Sequence, residues 1–143
     1  MDTVKSEVSV KWIESTLMAG RDSRGRPVVI GAKADDPNWV GLKASDLLLL
    51  AAASCSTYDV ASILAKQRIP VEAIDVMCSG EQLKEAPYSF VSIHLHYIVR
   101  GEVEKDKLER AIQLSEEKYC SVVTTLRGAL EVTSDYEICD QPE

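Results

Sequence analysis

Cysteine offers the clearest chemical potential in this 143-residue sequence, which contains four thiols at Cys55, Cys78, Cys120 and Cys139. The thiolate is the nucleophilic and metal-binding form of cysteine, and the surroundings of the sulfur decide how much of it forms. Cys55 lies in LLLLAAASCSTYDVASILAKQR, residues 47–68, after a run of small side chains. Two interpretations are open. Cys55 is a small hydrophobic core residue, or the small neighbours allow a second helix or a ligand to approach a reactive sulfur.

Cys120 differs because it follows Tyr119 at the junction of two predicted helical segments. The positive end of the next helix is expected to lower the pKa of the Cys120 thiol and to favour the thiolate. Spacing along the chain cannot show whether Cys55 and Cys120 meet in the fold. Cys78, on an apolar strand face, and Cys139, near the terminus, are predicted to be structural or incidental.

The sequence does not predict a metal site. It contains no CxxC pair, and His94 and His96 have no third candidate ligand nearby in the sequence. Their spacing is typical of a half-exposed strand face, so zinc is not expected there. The glycine-rich nucleotide motifs and the GxSxG nucleophile motif are absent as well.

Composition narrows the classes of function. The 23 acidic and 16 basic residues give a net charge of −7, whereas nucleic acids and anionic membranes attract basic surfaces. The first ten residues lack a basic-then-apolar signal pattern, and the unbroken apolar run at residues 47–54 is shorter than the ~20 residues of a membrane span. We therefore expect a cytoplasmic protein with reduced thiols and a single domain over residues 1–143.

Periodicity predicts the elements that position these residues. Alternation favours strands near residues 8–12, 28–32, 71–80, 88–101 and 130–139. Helices are predicted from Ser45 to about Lys66, over residues 106–120, and from residue 121 to about Gly128. This order of strands and helices predicts an α+β fold.

Four segments carry a resemblance to a known superfamily: GLKASDLLLLAAASCSTYDV, ILAKQRIPVEAIDVMCSGE, PYSFVSIHLHYIVRG and LERAIQLSEEKYCSV. In this order they are similar to the osmotically inducible protein C (OsmC) and organic hydroperoxide resistance (Ohr) superfamily, particularly its general OsmC-like branch. The resemblance implies antiparallel sheets wrapped around long central helices in an intertwined homodimer, with active sites at the dimer interface.

The resemblance also implies a reaction. Cys55 matches the thiolate that reduces organic hydroperoxides, and Cys120 matches the second cysteine that forms a disulfide with it. A dithiol reductant then restores the enzyme, and no cofactor is required. Arg21 matches the arginine that stabilises the thiolate. In the family a carboxylate at the start of the helix holds this arginine, and Asp46 is the acid closest in sequence to that position.

The sequence departs from the peroxidase pattern at the start of the long helix. The family's glutamate lies ten residues before the first cysteine, where this chain has Ser45, and Asp46 lies nine before it. On a helix, nine residues place Asp46 about 180° from Cys55, and ten would give about 80°. Asp46 then either supports Arg21 or simply complements the helix dipole. Ala44 and Ser121 also replace family prolines.

Two principal functions follow. The first is a thiol-dependent peroxidase acting in oxidative-stress defence. The second is a non-peroxidatic protein of the same fold that binds a small apolar or thiol-reactive ligand in the interface pocket. A third interpretation is a structural dimer in which the thiols are only core residues.

Overall fold

Alternating and helical segments of the sequence form six strands and three α-helices in the computed structural model, which describes residues 1–139. The strands and helices group into two compact units, Met1–Leu48 and Leu49–Glu143. The strands are β1 Ser9–Glu14, β2 Leu17–Arg21, β3 Pro27–Ile30, β4 Val71–Gln82, β5 Phe90–Gly101 and β6 Glu131–Cys139. The helices are α1 Asp46–Lys66, α2 Lys105–Leu114 and α3 Ser121–Arg127, with a π-helical turn at Ser115–Tyr119. The α+β class is confirmed.

The first unit contains an antiparallel sheet in the order β1-β2-β3. Sequence periodicity missed β2, because LMAGR does not alternate between polar and apolar residues and contains Gly20, a residue that weakens a strand prediction. The chain reverses between β1 and β2 at Ser15, which has a positive φ of 52°. The predicted turn RDSRGRP joins β2 to β3.

The second unit contains a sheet in the order β4-β5-β6. β4 pairs with β5 in antiparallel fashion, but β6 runs parallel to β5. The expectation of antiparallel sheets is therefore correct for β4 and β5 but wrong for β5 and β6. A parallel neighbour requires a crossover connection, and α2, the π-helical turn and α3 supply it between β5 and β6.

One face of β5 forms the centre of the core in the second unit. The buried side chains alternate along the strand at Ile93, Leu95, Tyr97 and Val99. The buried residues of α1 recur every four positions and form one stripe: Ala52, Ser56, Val60 and Leu64. This spacing is the period of a helix face that packs on a core.

Two elements extend beyond their predicted limits. β4 continues through Gly80 to Gln82. A Cβ at Gly80 would lie 2.9 Å from both the Leu49 side chain and the Phe90 ring. Gly80 makes room for packing and does not end the strand. α1 has 21 residues, and its length and apolar composition as a whole would allow it to cross a membrane. Core helices of globular proteins can meet this criterion too, so the finding is weak evidence for a membrane span.

Two glycines with positive φ in the first unit allow the cost of a steric clash to be separated from the cost of the backbone conformation. Gly31 (φ 77°) has no room for a side chain, because a Cβ there would overlap the backbone carbonyl of Thr16. Gly25 (φ 82°) has open space around the same position. We expect Gly25→Ala to lower the free energy of unfolding by about 1–2 kcal/mol, the cost of the left-handed conformation alone. Gly31→Ala should cost clearly more in urea denaturation, and equal losses would contradict this account.

Candidate functional site

Cys55 and Cys120 lie close together although 65 positions separate them in the sequence. Their sulfur atoms and a carboxylate oxygen of Asp59 are all within 4.8 Å of one another. Cys55 lies near the middle of α1, and Asp59 follows one helical turn later on the same helix. Cys120 lies between the π-helical turn and α3. Both thiols are free, so the fold presents a reduced pair with an acid beside it.

The backbone around Cys120 holds its sulfur at the start of α3. Cys120 is the N-cap residue of α3, and its sulfur accepts a hydrogen bond of 3.4 Å from the Val123 N–H. Its own N–H donates to the Ser115 carbonyl at 2.7 Å, which closes the π-helical turn. An extra residue in a helical turn often marks a functional position, and here the wide turn places Cys120 opposite α1.

Burial determines the protonation of Cys120. The side chain is fully buried, and this desolvation, together with the neighbouring Cys55 thiol, raises the pKa of Cys120 well above its ordinary value. The backbone amides of α3 lower the same pKa, but by less. The prediction of a lowered pKa at Cys120 was therefore wrong, because the loss of solvent outweighs the helix end. Cys120 is a protonated thiol at neutral pH.

A chain of buried hydroxyl groups connects the thiol pair to the core. Ser115 Oγ donates to Asp59 Oδ2 at 3.0 Å and lies 3.4 Å from Ser56 Oγ. Ser56 in turn is hydrogen-bonded to the Tyr97 hydroxyl. Ser56, Ser115 and Tyr97 are all fully buried. Since buried polar groups need partners, these bonds fix α1, β5 and the π-helical turn relative to one another.

The hydroxyl chain ends at Glu116, which is mostly buried. Its carboxylate accepts hydrogen bonds from Tyr97 at 3.5 Å and from Ser134 at 3.2 Å, and it lies 3.7 Å from the Arg127 guanidinium. Desolvation raises the pKa of Glu116 despite these partners. Burial likewise raises the pKa of Tyr97, so its phenol stays neutral. Glu116 also borders a surface cleft of about 410 Å³, lined with Glu109, Ile112, Gln113, Glu116, Glu117, Ser134, Asp135 and Tyr136.

The two other residues predicted for the site belong to the first unit. Arg21 is the last residue of β2, and its guanidinium donates to the Gly25 carbonyl at 2.9 Å across the β2–β3 turn. Asp46 is the first residue of α1. Within residues 1–139, no ion pair joins Arg21 to Asp46. Their catalytic roles stay predictions.

The remaining cysteines lie in strands. Cys78 is half-buried in β4, and desolvation raises the pKa of its thiol. Cys139 is the last residue of β6 and is also half-buried. Neither belongs to the cluster around Cys55.

A second cavity of about 440 Å³ adjoins the thiol cluster through Asp59. Its lining combines aromatic, apolar and charged side chains: Tyr58, Asp59, Ser62, Ile63, Lys66, Leu114 and Tyr119. A cavity of this size and mixed character can hold a small organic molecule. The cluster of Cys55, Asp59 and Cys120 also has the ligand types of a zinc site.

Sequence reasoning did not identify Ser56, Ser115, Tyr97 and Glu116 as site residues. One signal was available. Ser56 is a polar residue among apolar residues at four-residue spacing in α1, and a polar side chain at such a position needs a buried partner. Tyr97 gave no such signal because an aromatic residue fits an alternating apolar strand equally well.

The raised pKa of Glu116 predicts a pH effect on stability. The folded protein binds the Glu116 proton more tightly than the unfolded chain, so this group reduces stability as the pH rises through its folded pKa. Below the unfolded pKa both states are protonated and the effect vanishes. We expect the free energy of unfolding of Glu116→Gln, measured relative to wild type by urea denaturation, to improve as the pH increases above about 4.5 and then to level off. Glu102→Gln, at an exposed position, should show no such trend, and a flat difference for Glu116→Gln would contradict the assignment.

Comparison with known proteins identifies one family. Residues 35–135 match the family described as OsmC-like protein. The chain is 38% identical over 137 residues to "Protein YhfA" of Escherichia coli K12, an alignment that covers 92% of this chain and 97% of YhfA.

Solved structures share the fold. A hypothetical protein from Aquifex aeolicus VF5 is 28% identical and superimposes with a TM-score of 0.85. The match covers 98% of this chain and 100% of that chain. An organic hydroperoxide resistance protein OsmC from Legionella pneumophila is 12% identical with a TM-score of 0.69, over 96% of this chain and 99% of that chain. The latter likeness concerns the fold alone. With the match over residues 35–135 and the 38% identity to YhfA, the chain belongs to the OsmC-like protein family.

Proposed function

We propose that this protein is a thiol-dependent peroxidase that reduces organic hydroperoxides and acts as a cytoplasmic homodimer in oxidative-stress defence. Cys55 is the attacking thiolate, and Cys120 closes a disulfide with it. The observation that carries the proposal is the proximity of the two sulfurs, which lie within 4.8 Å of each other in a free, reduced state. Membership in the family and the fold of the Legionella protein support it.

The reaction has three balanced steps. The Cys55 thiolate attacks the outer peroxide oxygen, forming an S–O bond while the O–O bond breaks; the alkoxide leaves and takes up a proton to become the alcohol. The Cys120 thiol then attacks the Cys55 sulfenic acid, forming the S–S bond and releasing water. A dithiol reductant exchanges with the disulfide, so that its own sulfurs are oxidised and both cysteines return to thiols.

The environments of the two sulfurs support this division of roles. Cys120 is fully buried and its pKa is raised, so it is a poor first nucleophile. Cys55 is only partly buried and is the sulfur that can meet a substrate. Cys120 lies close enough to trap the sulfenic acid before further oxidation, and its thiol proton leaves with the hydroxyl group as water.

A cation beside Cys55 is the element that the reaction still requires. Asp59, the acid within 4.8 Å of both sulfurs, cannot supply the positive charge that stabilises a thiolate. We therefore assign Arg21 to stabilise the thiolate and the departing alkoxide, as the resemblance implies, with Asp46 to hold its guanidinium.

The surface of α1 supports the homodimer. Most residues of the helix are apolar, but only one stripe of it is buried within the chain. Leu50 is 50% exposed and Tyr58 is 73% exposed. Exposed apolar surface on a long helix is typical of a protein–protein interface, and a second copy of α1 would cover it.

One observation favours the alternative function, ligand binding without peroxide reduction. An acid, Asp59, lies within 4.8 Å of both sulfurs, and the cavity of about 440 Å³ beside it includes aromatic and apolar side chains in its lining. On this alternative, a panel of small apolar or thiol-reactive ligands would raise the melting temperature, and Cys55→Ala would leave that increase intact.

The peroxidase proposal predicts a defined oxidation product. Reduced protein treated with one equivalent of cumene hydroperoxide should lose two hydrogens, and peptide mass spectrometry should map the change to a Cys55–Cys120 disulfide. Cys55→Ser should abolish peroxide consumption with a dithiol reductant, because it removes the attacking sulfur. Cys78→Ser, outside the cluster, is the matched control and should behave as wild type.

Cys120→Ser distinguishes the attack on the peroxide from the formation of the disulfide. With excess peroxide it should retain the first attack and accumulate sulfinic acid at Cys55, because a second peroxide oxidises the sulfenic acid that no second thiol traps. If both thiols of the wild type stay titratable after excess peroxide, the peroxidase proposal fails and the ligand-binding alternative gains support.

Arg21 offers a separate prediction. Arg21→Met should slow peroxide consumption by about 100-fold, the usual effect of removing one group that stabilises developing negative charge. It should also raise the pH at which iodoacetamide alkylates Cys55. Arg24→Met removes an exposed cation from the same turn and should leave both quantities unchanged. Equal effects of the two variants would show that Arg21 has no specific role.

A further inference from the structure

The exposed face of the sheet β4-β5-β6 brings two histidines and an acid together. His94 and His96 are two residues apart on β5, and Asp135 lies on the parallel neighbour β6, where it is the register partner of His96. We propose that His94, His96 and Asp135 bind one divalent transition-metal ion of the zinc class. This site is separate from the thiol pair and does not depend on the proposed function.

The distances bring three ligand atoms to one point. Asp135 Oδ1 is 2.8 Å from His94 Nε2 and 2.6 Å from His96 Nδ1, and the three atoms lie within 4.8 Å of one another. Zinc bonds to imidazole nitrogen and to carboxylate oxygen at about 2.0–2.2 Å, so side-chain rotation alone would admit an ion between them. The expectation that the histidines lack a nearby third ligand was wrong, because Asp135 lies beside them on the neighbouring strand.

Each imidazole already has an outer partner on its other nitrogen. His94 Nδ1 lies 2.7 Å from Thr133 Oγ1, and His96 Nε2 lies 3.6 Å from Glu137 Oε2. In metal sites the second ring nitrogen of a histidine usually donates to a hydroxyl, carbonyl or carboxylate, and this bond fixes the ring and its tautomer. Thr133 and Glu137 therefore supply the outer shell of the proposed site.

The sheet holds these groups in a rigid arrangement. Residues that alternate along a strand share one face, and the parallel register places Thr133 beside His94 and Asp135 beside His96. Sites on strands are better defined than sites on loops. The side chains are accessible, with 39% of His94, 30% of His96 and 60% of Asp135 exposed.

The ligand set indicates the class of metal. Two imidazoles favour zinc, copper or nickel over magnesium and calcium, which prefer all-oxygen sites. Three protein ligands leave at least one coordination position open to water or to another ligand. Because the site is exposed, the ion would exchange with the solution.

Zinc titration tests the proposal in a background without the thiol cluster. Isothermal titration calorimetry of ZnCl2 into reduced Cys55→Ser/Cys120→Ser protein should show one equivalent bound. His94→Ala and His96→Ala should each weaken zinc binding by more than 100-fold, beyond the 10–100-fold usual for loss of an outer-shell group. Glu137→Gln should fall within that smaller range. Glu131→Gln removes an acid from the same face of β6 outside the cluster and should bind as the parent does.

Co²⁺ absorption of the wild type provides an independent measurement if the double variant fails to fold. A visible ligand-field band that is lost in His94→Ala and in His96→Ala supports the histidine site. Two results overturn the proposal: no zinc binding in the parent, or zinc binding and a cobalt spectrum that are unchanged in both histidine variants. Neither of these results bears on peroxide reduction, so the two proposals fail separately.

Discussion

The hydrogen bond between Ser56 and Tyr97 is the contact on which the arrangement of the second unit depends. It joins the middle of α1 to the central strand β5, and both side chains are fully buried. A buried hydroxyl without a partner costs free energy, so the two groups select one relative position of helix and strand. Ser115 extends this contact to the π-helical turn. Cys55 precedes Ser56 in the sequence, and Cys120 closes the turn that Ser115 begins. The proximity of the thiols therefore follows from a polar contact in the core.

Cys120 illustrates how two electrostatic effects compete at one atom. The amide groups at the start of α3 point at its sulfur and favour the thiolate, whereas full burial removes the water that would solvate the charge. Burial dominates, and the pKa rises. A helix end stabilises an anion effectively only where solvent or further donors complete its shell. For the two-thiol mechanism that we propose, this difference in burial supports Cys55 as the first nucleophile and Cys120 as the thiol that reacts with the sulfenic acid.

Much of the fold could be predicted from local patterns. The helix α1, the long strands β4 and β5 and the final strand follow from periodicity, since their apolar residues repeat with the spacing of a buried face. β2 escaped because its five residues lack alternation, and the direction of β6 escaped because alternation is the same in parallel and antiparallel strands.

The site was less accessible to sequence reasoning than the fold. Residue type identified Cys55 and Cys120 as candidates, but their proximity depends on a crossover that local patterns do not encode. The protonation of Cys120 could not be predicted either, because it depends on how completely the surrounding elements exclude water. Asp135 was missed beside the histidines for the same reason: a ligand on a neighbouring strand is invisible to spacing along the chain.

The register between β5 and β6 connects the two faces of the sheet. Leu95 pairs with Ser134 and His96 pairs with Asp135. Ser134 points inward and donates to Glu116 at the end of the buried hydroxyl chain, while Asp135 points outward to the histidines. Because side chains alternate, a shift of one residue would exchange these faces and disrupt both clusters together. The buried chain on the inner face pins this register through Glu116. The geometry of the outer histidine cluster is thus determined by polar contacts on the opposite side of the same strands.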